Sequence, residues 1–192
     1  MKPQIYRSKL AWIFGWAWLV FAAWNTWDLI AHGRMPSALI AGAVLGVITA
    51  LVFVMALRPA ILAEEGGVRV RNVLRNAYIP WNAVDDLSVT SAIVIESGGT
   101  AVRCWTPQAT ARERARAAGQ AVKAASSKDR VERATAAVGG RTHADWVAQQ
   151  LEEMSRSRRQ TSTGETRVTW SPSALAVLAA ALALVVAAVV LS

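Results

Sequence analysis

Cysteine is almost absent: the 192 residues hold one, Cys104. That excludes an internal disulfide and any CxxC metal spacing. Histidine is nearly as scarce, and His32 and His143 fall in different segments, so no metal cluster is expected. Charge is low too: 18% of residues are Asp, Glu, Lys or Arg, against about 25% in an ordinary soluble domain. Catalytic motifs are missing. There is no Gly-rich phosphate loop, no HExxH and no nucleophile with a local base. Neither an enzyme, a cofactor nor a metal is expected.

What is there is apolar and aromatic. Hydrophobic residues make up 54% of the chain, and there are nine tryptophans. Residues 1–9 carry Lys2, Arg7 and Lys9 and no acid. Residues 10–31 follow with Asp28 as the only charge. At about 1.5 Å per residue they reach roughly 33 Å, enough for a bilayer core of about 30 Å. Trp12 and Trp16 near one end and Trp24 and Trp27 near the other suit the two headgroup levels. The run is too long and too aromatic for a signal-peptide core, and no A-x-A site follows it, so a retained helix is expected.

A short connector, 32–36, forces the next helix to run back antiparallel. Residues 37–57 form a second expected span with no charge. Within it Ala38, Gly42, Gly46 and Ala50 recur every four residues, a spacing that lets helix backbones approach closely in lipid. The partner of that stripe is left open: another helix of this chain, a second copy or a different membrane protein. Arg58-Pro59 stops the helix at the membrane edge. Residues 173–191 are wholly apolar and span about 28 Å, a third expected span.

Between the spans lies a polar middle. Residues 60–64 and 67–71 read as strands around a Glu65-Gly66 turn; Val68 and Val70 face one way, Arg69 and Arg71 the other. Further short strands follow, with a Gly98-Gly99 turn before 100–107, so an antiparallel meander is expected. Cys104 reads as a sheet residue pointing inward, and Asp85-Asp86 as a strand-end turn. Residues 108–142 form an Ala/Arg-rich insertion with no large apolar face, too poor in apolar surface for a core. Thr142 and Asp145 form a capping-box variant for a helix over 143–156. Trp146, Val147, Gln150, Leu151 and Met154 share its expected inner face. Residues 158–172 read as a linker back to the membrane.

The motif set RP, E-E-G-G-V-R-V-R-N and I-P-W-N-A-V, after a helical hairpin and before a C-terminal helix, resembles the bacterial PH-domain membrane proteins of actinobacteria, the low-molecular-weight-antigen-6 type. It rests on Arg58, Pro59, Gly67, Val68, Val70, Arg71, Asn72, Pro80, Trp81 and Val84. The resemblance implies a membrane α + β protein. Its parts would be a transmembrane helical hairpin, a PH-like antiparallel β-barrel or sheet over 58–157 capped by a C-terminal helix, and a third transmembrane helix. It implies no common activity.

Charge distribution orients the chain. Of 21 Lys and Arg, three precede the first span, Arg34 lies in the connector and 17 lie in 58–167. The positive-inside rule then places the N-terminus and the domain in the cytoplasm of a multi-pass plasma-membrane protein. Twelve of 13 acids share the middle region, leaving it near +5. That suits anionic lipid headgroups and is too interleaved for nucleic acid. Two readings of function remain. One is a membrane-tethered adaptor that binds a protein partner or anionic lipid through Arg69, Arg71, Arg75 and Arg103. The other is a small accessory subunit of a larger respiratory or cell-envelope complex, built on the Ala38/Gly42/Gly46/Ala50 stripe, with a membrane-protein partner or homo-oligomer.

Overall fold

The computed structural model describes residues 4–108, 115–116, 118–119, 122 and 142–191. The expected insertion over 108–142 lies almost wholly outside the described residues. Two compact units emerge. One comprises residues up to Tyr6 with Ala60–Val70 and Ala77–Arg167; the other comprises Arg7–Pro59, Arg71–Asn76 and Val168 onward.

The first unit is built on strands. β1 (Gln4–Tyr6), β2 (Ala60–Ala63), β3 (Gly67–Arg71) and β4 (Arg75–Pro80) are neighbours in that order in one sheet. β5 (Asp86–Val89), β6 (Ala92–Ser97) and β7 (Thr100–Gln108) form a second, antiparallel sheet. The alternation of 67–71 is realised: Val68 and Val70 are buried, Arg69 and Arg71 exposed. Glu64 N donates to Gly67 O at 2.9 Å and closes the β2–β3 hairpin. Gly67 is a packing requirement, because a Cβ there would stand 2.5 Å from the Ile79 carbonyl oxygen. Asp85 takes the expected turn role: its Oδ2 accepts from Gly98 N at 2.6 Å.

Helix α3 (His143–Arg158) starts on the expected cap. Thr142 Oγ1 accepts from Asp145 N, and Asp145 Oδ2 accepts from Thr142 N at 2.7 Å. Its buried face differs from the expected one. Ala144, Val147, Ala148, Leu151 and Ser155 face inward, while Trp146 stays 48% exposed and meets Tyr6 edge-on at 6.4 Å between centroids. Gln150 is only half-buried and accepts from the Tyr6 hydroxyl at 2.6 Å. Alanine methyls let the helix lie close to the core; an indole in their place would hold it off. Val147 and Leu151 join Ile61, Ile79, Trp81, Ile93 and Ile95 in one apolar cluster.

Two parts of this chain read otherwise from the sequence. The N-terminal residues Gln4–Tyr6 pair antiparallel with β2, Tyr6 opposite Ile61. The 158–172 stretch, expected as a linker, carries structure. Ser162 is buried, donates to Gly66 O at 2.6 Å and accepts from Trp81 N at 3.0 Å. Arg167–Trp170 then forms strand β8.

The second unit is helical. α1 (Lys9–His32) and α2 (Ser37–Val52) form the expected hairpin, and α2 continues through a π-helical turn, Phe53–Leu57. Trp18 Nε1 donates to Thr49 Oγ1 at 3.1 Å and ties α1 to α2. α4 (Pro172–Leu191) packs along α2. Ser171 caps it, accepting from Ala174 N at 3.2 Å. The helices over Ser37–Leu57 and Pro172–Leu191 are long and apolar enough to cross a membrane, by length and composition.

Candidate functional site

Three chain segments meet at one end of the helical unit. α1 begins there, α2 ends there and α4 begins there. Gly15 lies against Leu57, and Ser171 N donates to Leu74 O at 2.9 Å. The tip of the β3–β4 hairpin, Arg71–Asn76, belongs to this unit. Asn72 N donates to Arg75 O at 2.8 Å and closes the tip.

Arg58 holds that tip. It follows directly on the apolar run, is 9% exposed, and donates from Nη1 to Val73 O at 3.0 Å and from Nη2 to Asn76 Oδ1. Burial, and then the like charge of Arg71, pull its guanidinium below the usual arginine range. Arginine keeps its charge nonetheless, since its ordinary value lies far above neutrality. Arg75 lies over the Trp170 ring, 4.9 Å from the centroid, a contact worth about 0.5–1 kcal/mol at an exposed site. Arg71 is exposed. Arg7 and Lys9 lie at the start of α1. The single acidic side chain of this unit, Asp28, sits at the far end of α1, 3.1 Å from His32 Nδ1. The end that carries Arg7, Lys9, Arg58, Arg71 and Arg75 therefore has no carboxylate of its own unit.

The four arginines picked out in the sequence separate. Arg71 and Arg75 join this basic collar. Arg69 belongs to the strand unit, pairs with Glu64 at 3.0 Å and lies 5.7 Å from the Tyr78 centroid. Arg103 lies in the second sheet and donates to Ser91 Oγ at 2.6 Å. Arg58 and Trp170 were missed as site residues. The RP that ends the second apolar run and the TWSP that opens the last one are the signals that mark them.

The small-residue stripe also divides. Ala50 is buried, and a Cβ on Gly46 would meet Leu184 of α4 at 2.8 Å. Gly42 has nothing within 4 Å of such a Cβ and lines an open apolar cleft of about 910 Å³ between α1, α2 and α4. Thr26 and Thr49 line it as well, but their hydroxyls are satisfied by Ala22 O and Leu45 O within their own helices.

Elsewhere, Cys104 is fully buried, and burial pushes its thiol up to about 12. No group of His, Cys, Asp and Glu that could hold a metal occurs among the described residues.

The two sheets and the helix α3 agree with one comparison. Residues 58–160 match the model of a bacterial PH domain. The chain belongs to that family. The PH domain thus opens on Arg58, the residue that holds the hairpin tip, and closes just after α3. Comparison with curated proteins and with solved structures gave no match. A PH domain points to a binding module.

Proposed function

We propose that the chain is a multi-pass plasma-membrane protein that holds its PH domain in the cytoplasm as a non-catalytic binding module for a protein partner or anionic lipid. The observation that carries the reading is the placement of the PH segment, directly between two helices apolar enough to cross a bilayer. α1 serves as a further span: its 24 residues exceed the roughly 20 a crossing needs. The lysines and arginines of 58–167 keep that region on the cytoplasmic side. Protease added to sealed inside-out vesicles should cleave the PH domain, and protease added to right-side-out cells should leave it intact. The opposite pattern would sink the reading.

The open cleft beside Gly42 favours a second reading, a small accessory subunit of a larger membrane complex. A membrane-protein partner that co-purifies in mild detergent and is lost on Gly42→Leu would support it. Gly46→Leu is the poorer probe, because Gly46 already packs against Leu184 of the same chain.

A further inference from the structure

We infer that a second copy of this chain docks in the apolar cleft of the helical unit, filling it with the bulky outer face of its own α1. The inference rests on the reading of α1, α2 and α4 as membrane spans and deepens it by naming what covers the cleft.

α2 packs against both α1 and α4, and the cleft of about 910 Å³ opens between the three. Ala38, Gly42, Ala180 and Ala187 are among its lining residues. The hydroxyls of Thr26 and Thr49 bond within their own helices, so the cleft asks for apolar shape rather than a polar ligand. In lipid, packing drives helix association, and a groove lined by alanine and glycine admits large side chains from a neighbour.

α1 carries such side chains on its other side. Its Ala22, Thr26 and Leu29 line the cleft. Val20, Phe21, Trp24 and Trp27 do not, and they are exposed, the two tryptophans at 75% and 71%. One α1 therefore cannot fill its own cleft with them, whereas the α1 of a neighbouring copy can. The contact is head-to-tail, with different patches on the two copies.

Depth singles out a copy of the same chain. Copies in one membrane orientation are related by an axis along the membrane normal, so residues that touch lie at equal depth. Trp27 lies five residues before His32, the end of α1, and Gly42 lies five after Ser37, the start of α2. At about 1.5 Å per residue, both stand about 7.5 Å from the helix ends that the connector joins. Trp24 and Leu45 each stand eight residues from the same ends, and Leu45 lines the cleft. Rigid indoles lose less freedom on packing than a flexible acyl chain, which favours them over lipid in that space.

The test co-expresses two differently tagged full-length chains and treats the isolated membranes with copper phenanthroline. Gly42→Cys with Trp27→Cys should yield a disulfide-linked pair several-fold above either variant alone. Leu45→Cys with Trp24→Cys should do the same. Val186 lies five residues before Leu191, the end of α4, and is exposed outside the cleft, so Val186→Cys should not pair with Gly42→Cys. The native Cys104 is buried and stays silent. Gel filtration in mild detergent identifies any variant that fails to fold, and either cysteine pair decides without the other. Absence of the mixed disulfide overturns the docking and leaves the cleft to lipid or another protein. Disulfides as abundant in the single variants overturn it in favour of a contact between like patches. Pairing with Val186→Cys as strong as with Trp27→Cys reduces it to random collision. Protease on the same membranes reads sidedness, so lost pairing with sidedness intact sinks the docking alone.

Discussion

Arg58 Nη1 donates to the carbonyl oxygen of Val73 at 3.0 Å, so the last residue before Pro59 fastens the tip of a hairpin fifteen residues further on. A second bond to Asn76 Oδ1 makes the hold two-pointed. Arg58→Met keeps the length of the stem and removes both donors. It should lower stability by about 2 kcal/mol, in line with hydrogen bonds from a charged group. Thermal unfolding of the full chain in detergent, followed by tryptophan fluorescence, measures this. A variant as stable as the wild type would remove Arg58 from its structural role.

Trp81 ties the PH domain together through both its ring and its backbone. Its Nε1 donates to Glu64 O at 3.1 Å, and its backbone N to Ser162 Oγ at 3.0 Å. Trp81→Phe should cost about 1–3 kcal/mol, from one lost hydrogen bond together with lost packing, while Glu64 O keeps its bond from Arg158 Nη1 at 3.2 Å. Ser162→Ala should cost about 1–2 kcal/mol. Ser162 bonds the backbone N of residue 81, which Trp81→Phe leaves in place, so in a double-mutant cycle the two losses should add to within about 0.5 kcal/mol. A larger coupling would show that the indole and the Ser162 hydroxyl depend on each other.

Cys104 should be inert in the folded protein. It is fully buried, and its thiol stays protonated up to about pH 12, against an ordinary 9.0. A maleimide at neutral pH should label it only after denaturant is added, as mass spectrometry would read. The folded value lies above the unfolded one, so this group's contribution is complete below pH 9.0. It falls as pH rises from there toward about 12, because the unfolded chain releases the proton first. Rapid labelling of the native protein would show the core open at β7.

Gly46 and Gly42 should respond differently to enlargement. Gly46→Leu places a branched side chain where a Cβ alone stands 2.8 Å from Leu184. It should push α4 away from α2 and lower stability by about 1–3 kcal/mol, as overpacking does. Gly42→Leu meets open space and should leave the isolated chain about as stable as before. Melting in detergent compares the two, and equal losses would contradict the stated packing.

Some of this protein was written locally and could be read locally. The period-two alternation of 67–71 set which side chains enter the core, because successive side chains of a strand point to opposite faces. The Thr142–Asp145 cap spans three residues and needs nothing from elsewhere. The apolar runs declare themselves by length, and the motifs around Gly67 and Trp81 declared the family. Tertiary structure decided the rest, because each remaining choice depends on residues distant in sequence. Gln4–Tyr6 becomes a strand only because β2 offers it an edge. The inner face of α3 turned on how close the helix could lie, which favoured Ala144 and Ala148 over Trp146. Arg69, Arg71, Arg75 and Arg103 looked alike as outward cations on a pattern of strands. Glu64 claimed the first, Ser91 bonded the last, and the pairing of the hairpin tip with Arg58 and Trp170 gathered the middle two at the head of the helices. Composition and periodicity specify which residues are exposed, whereas the partner of an exposed charge is fixed only when distant segments are brought together.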